Sequence, residues 1–87
     1  MFFVYILKSE KTGKWYVGST ENPLKRLQEH NAGNTRSTKA NRPYMLIYTE
    51  KFQTKSEALK REQLIKISGR IRKELKTKLS TAPSSNG

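Results

Sequence analysis

The hydrophobic pattern opens with Phe2 to Leu7, a run rich in aromatic and β-branched residues, which predicts a strand buried on both faces. Ser9 to Lys14 is polar and holds Gly13, a residue able to take a positive φ, so a turn follows. Trp15-Tyr16-Val17-Gly18 reads as a second short strand, completing a hairpin that Gly18 ends. A glycine at that point permits close backbone approach. Asn22-Pro23 supplies the N-cap and first-turn proline of a helix that runs to about Asn31, with Gly33 as its stop. Asn34 to Pro43 carries no large apolar anchor and reads as an exposed basic loop, the kind of segment in which binding residues tend to lie. Tyr44 to Phe52 is a third strand. Thr54 or Ser56 caps a second long helix that ends near Ile67, Ser68-Gly69 interrupts it, and a basic helix follows from about Arg70 to Leu79. The order β-β-α-β-α-α predicts an α/β (α+β) domain in which a three-stranded, largely antiparallel sheet is flanked by helices. That domain spans residues 1–79, and the small polar stretch 80–87 is expected to be a disordered tail.

Length and composition narrow the functional classes. The 87 residues allow a single domain near the lower end of autonomous stability. The chain has no cysteine, which excludes disulfides, thiolate zinc sites and thiol redox chemistry. Its one histidine, His30, cannot build a histidine-rich metal site. Lys and Arg number 18 against 7 acidic residues, a net charge of +11, which predicts attraction to a polyanion and salt-sensitive binding. A merely well-solvated surface is the plainer reading of the same charge. The apolar N-terminal run is short, follows no basic segment and precedes no small-residue cleavage site, so it is not a secretory core. No stretch approaches transmembrane length, and a cytoplasmic location without a membrane partner is expected.

Several side chains stand where chemistry would want them. On a helical wheel of about 100° per residue, Leu24 and Leu27 face the core, while Arg26 and His30 share the adjoining face. An arginine can grip phosphate bidentately, and an imidazole can exchange a proton near neutral pH. The alternative is an ordinary solvated helix flank. In the second long helix, Ala58, Leu59 and Ile65 define an apolar stripe, and Glu62 falls inside it. A carboxylate aimed at a sheet needs a partner: either a nearby Lys or Arg, or a hard cation such as Mg²⁺, which is commonly held by one or two carboxylates plus water and phosphate. Tyr5 and Tyr16 lie on neighbouring strands of the hairpin, where a phenol can position water or, if positive charge draws off its proton, act as a base. Ordinary strand packing explains them equally well. Trp15, Tyr44 and Tyr48 have faces on which bases could stack, but are assigned to the core first. Arg36, Lys39 and Arg42 in the loop, and Lys66, Arg70, Arg72, Lys73, Lys76 and Lys78 toward the C-terminus, are available to grip a phosphate backbone.

Val4-Tyr5-Ile6, then Tyr16-Val17-Gly18, then Arg26, His30 and Glu62, form an ordered set that resembles the GIY-YIG nuclease family, in particular its small, single-domain bacterial members. The resemblance covers residues 1 to about 79. It implies that Tyr5 and Tyr16 are the tyrosines of the two half-motifs, Arg26 the catalytic arginine, His30 the His or Tyr one turn later, and Glu62 the ligand of one Mg²⁺ or Mn²⁺ ion. Lys39 lies near a region where some members place a further polar catalytic residue. The implied activity is endonucleolytic hydrolysis of nucleic acid, DNA more than RNA, with low sequence specificity. Three departures stand out: the first half-motif lacks its glycine, Ser19 replaces a lysine found in excision-repair members, and Asn86 is a poor match to a late asparagine of many relatives. A basic nucleic-acid-binding module that keeps the fold without cutting is the alternative, and an accessory protein docking its basic C-terminal helix on an acidic partner is a third.

Overall fold

The computed structural model describes residues 1–80. Strand β1 (Phe2–Ser9) is central, with β2 (Trp15–Thr20) on one side and β3 (Tyr44–Phe52) on the other, both antiparallel to it. Helix α1 (Pro23–Asn31) and a short helix α2 (Arg36–Lys39) precede β3; α3 (Lys55–Ile67) and α4 (Gly69–Ser80) follow it. The order of the long elements is thus the expected β-β-α-β-α-α around a three-stranded antiparallel sheet. The expected tail beyond Ser80 lies outside the described residues, as does Asn86.

The alternation of β1 explains the layering. Val4 and Ile6 point to one face and join Val17, Ala58, Ile65 and Leu75 in a core beneath α3 and α4. Tyr5 and Leu7 point to the other face and join Tyr44, with Leu27 of α1 packed on them. Burial of Val4 through Leu7 on both faces is what an uninterrupted apolar run predicts for a central strand.

Polar ties fix the connections. The Ser9 hydroxyl accepts the N–H groups of Lys11 and Thr12 and donates to the Asn41 carbonyl, closing the hairpin turn and tethering the segment before β3. Gly13, at φ 78°, completes that turn. Asn31 donates to the Tyr44 carbonyl and accepts its N–H, which clamps the end of α1 to the start of β3. Asn22 caps α1, and Thr54 and Glu57 form a capping box on α3.

Two helix faces differ from the wheel reading. Leu24 is 65% exposed, because only the C-terminal half of α1 meets the sheet and His30 takes the core position. Leu59 is also exposed, since the inward stripe of α3 is Ala58, Glu62 and Ile65. The segment read as an open loop contains α2, and Thr38 within it is fully buried.

Candidate active site

Four of the expected site residues come together on the α1 face of the sheet. Tyr5 projects from β1 toward His30 of α1, and its hydroxyl lies 3.3 Å from His30 Nε2. The Tyr16 ring sits 4.8 Å from the imidazole and 6.3 Å from the Tyr5 ring, centroid to centroid. Tyr44 closes the imidazole from the β3 side, at 6.2 Å. The Arg26 guanidinium engages the Tyr5 hydroxyl and pairs with Glu29 at 2.6 Å.

Local sequence makes this packing possible. Gly18 is the cross-strand partner of Tyr5, and a Cβ there would lie 2.6 Å from the phenol oxygen. The missing side chain is therefore the space the phenol occupies. Pro23 and the Asn22 cap start α1 so that Arg26 and His30, one turn apart, both reach Tyr5.

The imidazole is held on its other side by a residue that the hydrophobic pattern did not reveal. Thr38 Oγ1 lies 2.7 Å from His30 Nδ1 and 3.3 Å from the Thr35 carbonyl. A hydroxyl has one proton, and the carbonyl can only accept it, so the network assigns that proton to Thr35. Nδ1 then carries the imidazole proton and donates to Thr38, leaving Nε2 as the acceptor facing Tyr5.

Electrostatics agree with a neutral imidazole beside a protonated phenol. Burial, reinforced by the Arg26 charge, holds the His30 pKa below its ordinary value. Burial raises that of Tyr5, and the opposing pull of Arg26 does not cancel it. Positive charge therefore does not draw off the Tyr5 proton, as the sequence had allowed: desolvation outweighs the Arg26 charge.

Glu62 stands on the other face of the sheet from that cluster. It stands between the fully buried Ala58 and Ile65 on α3, is itself 8% exposed, and meets β2 beside Gly18. Ser19 Oγ donates to its Oε1 at 2.8 Å, and Lys66 Nζ to its Oε2 at 2.5 Å. Ser19 follows Gly18, over which the phenol lies, so one dipeptide of β2 touches both halves of the site. The Glu62 charge also contributes to the raised Tyr5 pKa, as the smallest of its named causes. Among the described residues no three His, Cys, Asp or Glu side chains group together. A cation at Glu62 would thus have one protein carboxylate and complete its shell with water and phosphate, which suits Mg²⁺ or Mn²⁺. The Lys66 ammonium pairs with this carboxylate, the other of the two partners that a Glu in an apolar stripe calls for, and a bound cation would have to displace it.

The expected backbone-gripping residues are spread more widely. Arg36, Lys39 and Arg42 are exposed around α2, with the Arg42 guanidinium lying over Gly33. Lys66 is committed to Glu62, Arg70 pairs with Glu74 at 3.4 Å, and Lys73 is exposed on α4.

Fold and site together define a nuclease-like domain. The GIY-YIG catalytic domain model matches residues 1–75, and the chain belongs to that family. A UPF0213 protein of Staphylococcus saprophyticus is 46% identical over 72 residues, 82% of this chain and 87% of that protein. One from Staphylococcus haemolyticus is 44% identical over the same shares. The solution NMR structure of a UPF0213 protein from Bacillus halodurans matches with a TM-score of 0.57 at 33% identity, covering 99% of this chain and 93% of that one.

Proposed function

We propose that this chain is a divalent-metal-dependent endonuclease that hydrolyses phosphodiester bonds in nucleic acid, DNA in preference to RNA, and selects by shape more than by sequence. The observation that carries this reading is the contact between a protonated phenol, Tyr5, and a neutral imidazole, His30, with the Arg26 guanidinium at the phenol oxygen.

The geometry supports a two-stage proton relay. The attacking water loses its proton to the Tyr5 oxygen as the Tyr5 proton passes to His30 Nε2. The Arg26 guanidinium, turning from Glu29 to the phosphate, stabilises the charge that develops on the equatorial oxygens. Tyr16, packed on His30, orients the water or the phosphate. Glu62 would hold the Mg²⁺ or Mn²⁺ ion, whose chemistry there is neutralisation of charge on the phosphate and the leaving 3′ oxygen. Because β2 is an edge strand, a backbone passing the Gly18-Ser19 dipeptide can meet groups from both faces of the sheet. Arg36, Lys39, Arg42 and Lys73, all exposed, supply charge along the way, and Lys66 and Arg70 add theirs on exchanging Glu62 and Glu74 for phosphate.

One observation favours the alternative of a binding module that does not cut: both Glu62 oxygens already have partners within the chain. A panel of labelled duplex, flap and single-stranded DNA and RNA, incubated with Mg²⁺ or Mn²⁺ and with EDTA, separates the two. Cleavage that EDTA abolishes and that Arg26→Ala lowers by about 10²-fold or more supports the nuclease. Salt-sensitive binding with no product under any condition supports the module.

A further inference from the structure

We propose that the open groove at the hairpin end of the sheet is a binding site for one nucleotide of a single strand, with the base stacked on Trp15 and its phosphates held by Lys8 and Lys76. The identity of the polymer rests on the nucleic-acid reading above; the site itself is independent of the catalytic cluster.

Lys8 is the cross-strand partner of both Trp15 and Met45. Alternation puts Lys8 on the same face as Val4 and Ile6, and Trp15 on the same face as Val17, which is the face that α3 and α4 cover. At this end the helical cover is incomplete. The last turns of α4 contribute Lys76 and Leu79, leaving a cavity of about 610 Å³ over Trp15, Met45 and Ile47. Trp15 is half-buried and Met45 is 45% exposed, so the surface is apolar, aromatic and open to solvent. Among the described residues no acidic side chain lines it. The Lys76 ammonium stands 5.3 Å from the Trp15 ring centroid, a cation already drawn to that ring.

An aromatic plane on a sheet surface, rimmed by ammonium groups and lacking acids, matches what a single-stranded base with its phosphate requires. A base arriving over the ring displaces the Lys76 ammonium, which then has a phosphate to pair with. Trp15 and Ser19, the residue bonded to Glu62, lie four positions apart on one face of β2, roughly 13 Å along the strand. A single strand lying along that edge would span from the groove to the candidate centre.

Trp15 is the chain's one tryptophan, so its fluorescence reports on this groove alone. The full chain is titrated in EDTA with short oligo-dT, with an abasic oligomer of equal length and charge, with inorganic phosphate, and with polyglutamate. Saturable quenching by oligo-dT, little by the other three, and binding weakened about tenfold by Lys76→Gln are the expected results. Equal quenching by the abasic oligomer overturns base stacking, equal quenching by polyglutamate reassigns the groove to an acidic protein partner, and no quenching by oligo-dT removes the proposal. Cleavage in the metal-ion panel stands or falls separately: a chain that cuts with a silent Trp15 refutes the groove alone, and one that stacks bases without cutting refutes the nuclease alone.

Discussion

At the scale of single residues the central feature is the polarity of one hydrogen-bond chain. In the tautomer that this network assigns, Tyr5 donates to His30, His30 donates to Thr38, and Thr38 donates to the Thr35 carbonyl. Thr38 therefore acts as a positioning residue that fixes the tautomer in which Nε2 can receive the Tyr5 proton. Thr38→Val keeps the shape and removes the acceptor, leaving a buried Nδ1–H without a partner at a cost of about 1–3 kcal/mol. The expected outcome is a shift of His30 toward the Nε2–H tautomer, read from imidazole ¹⁵N chemical shifts, with cleavage lowered about tenfold or more and restored by Thr38→Ser. An unchanged ¹⁵N pattern in the valine variant would remove Thr38 from this role. The pH dependence follows from the same chain. His30 is held below its ordinary pKa, so its neutral form persists on mild acidification and is lost only as the pH falls through that depressed value. The acidic limb of kcat should thus lie below the value of an unperturbed imidazole. Stability moves in the same direction. Above the unfolded-state pKa both states are neutral; as the pH falls from there through the folded pKa, the unfolded chain binds more protons and stability declines.

At the scale of elements, each site residue is placed by how its strand or helix is anchored. The clamp from Asn31 to Tyr44 sets α1 against β3 and so brings His30 under the sheet. The capping box starts α3 in a register that turns Glu62 inward. Gly18 is the most exacting position, because any Cβ there collides with the Tyr5 phenol. Gly18→Ala is expected to cost about 1–3 kcal/mol of stability and to displace the Tyr5 hydroxyl, so that cleavage falls more than unfolding midpoints imply. Wild-type activity in a folded Gly18→Ala protein would show that the phenol position is not critical. Much of this level could be read from sequence. The β1 run, the Asn22-Pro23 start, the glycines at 13, 18 and 33, and the inward Glu62 each carry a local physical signal. Leu24 and Leu59 misled because a wheel assumes that a helix packs along its whole length and on its most apolar side, whereas α1 packs by its C-terminal half and α3 presents Glu62. Helix α2 was missed because its segment has no apolar period. Thr38 is buried by its hydrogen bonds, and a Ser or Thr beside an exposed basic cluster gives no sequence signal of that.

At the scale of the whole molecule, a charge of +11 on 87 residues favours association with a polyanion. Among the described residues no helix is long and apolar enough to cross a membrane. Binding to nucleic acid should weaken linearly in log–log fashion as salt rises, and Arg36→Gln or Lys39→Gln should each flatten that slope by roughly one ion. A slope that neither variant changes would place the contact surface elsewhere. Affinity from charge and cleavage from the site are separable, and the proposed cleavage depends on Glu62, whose carboxylate lies on the face of the sheet opposite the phenol and imidazole. The most direct test is the single-turnover cleavage rate of Glu62→Ala, at saturating protein and with Mn²⁺, relative to the unaltered chain, once circular dichroism has shown both to be folded. A rate lowered about 10²-fold or more with binding retained is the predicted result; an unchanged rate would contradict it.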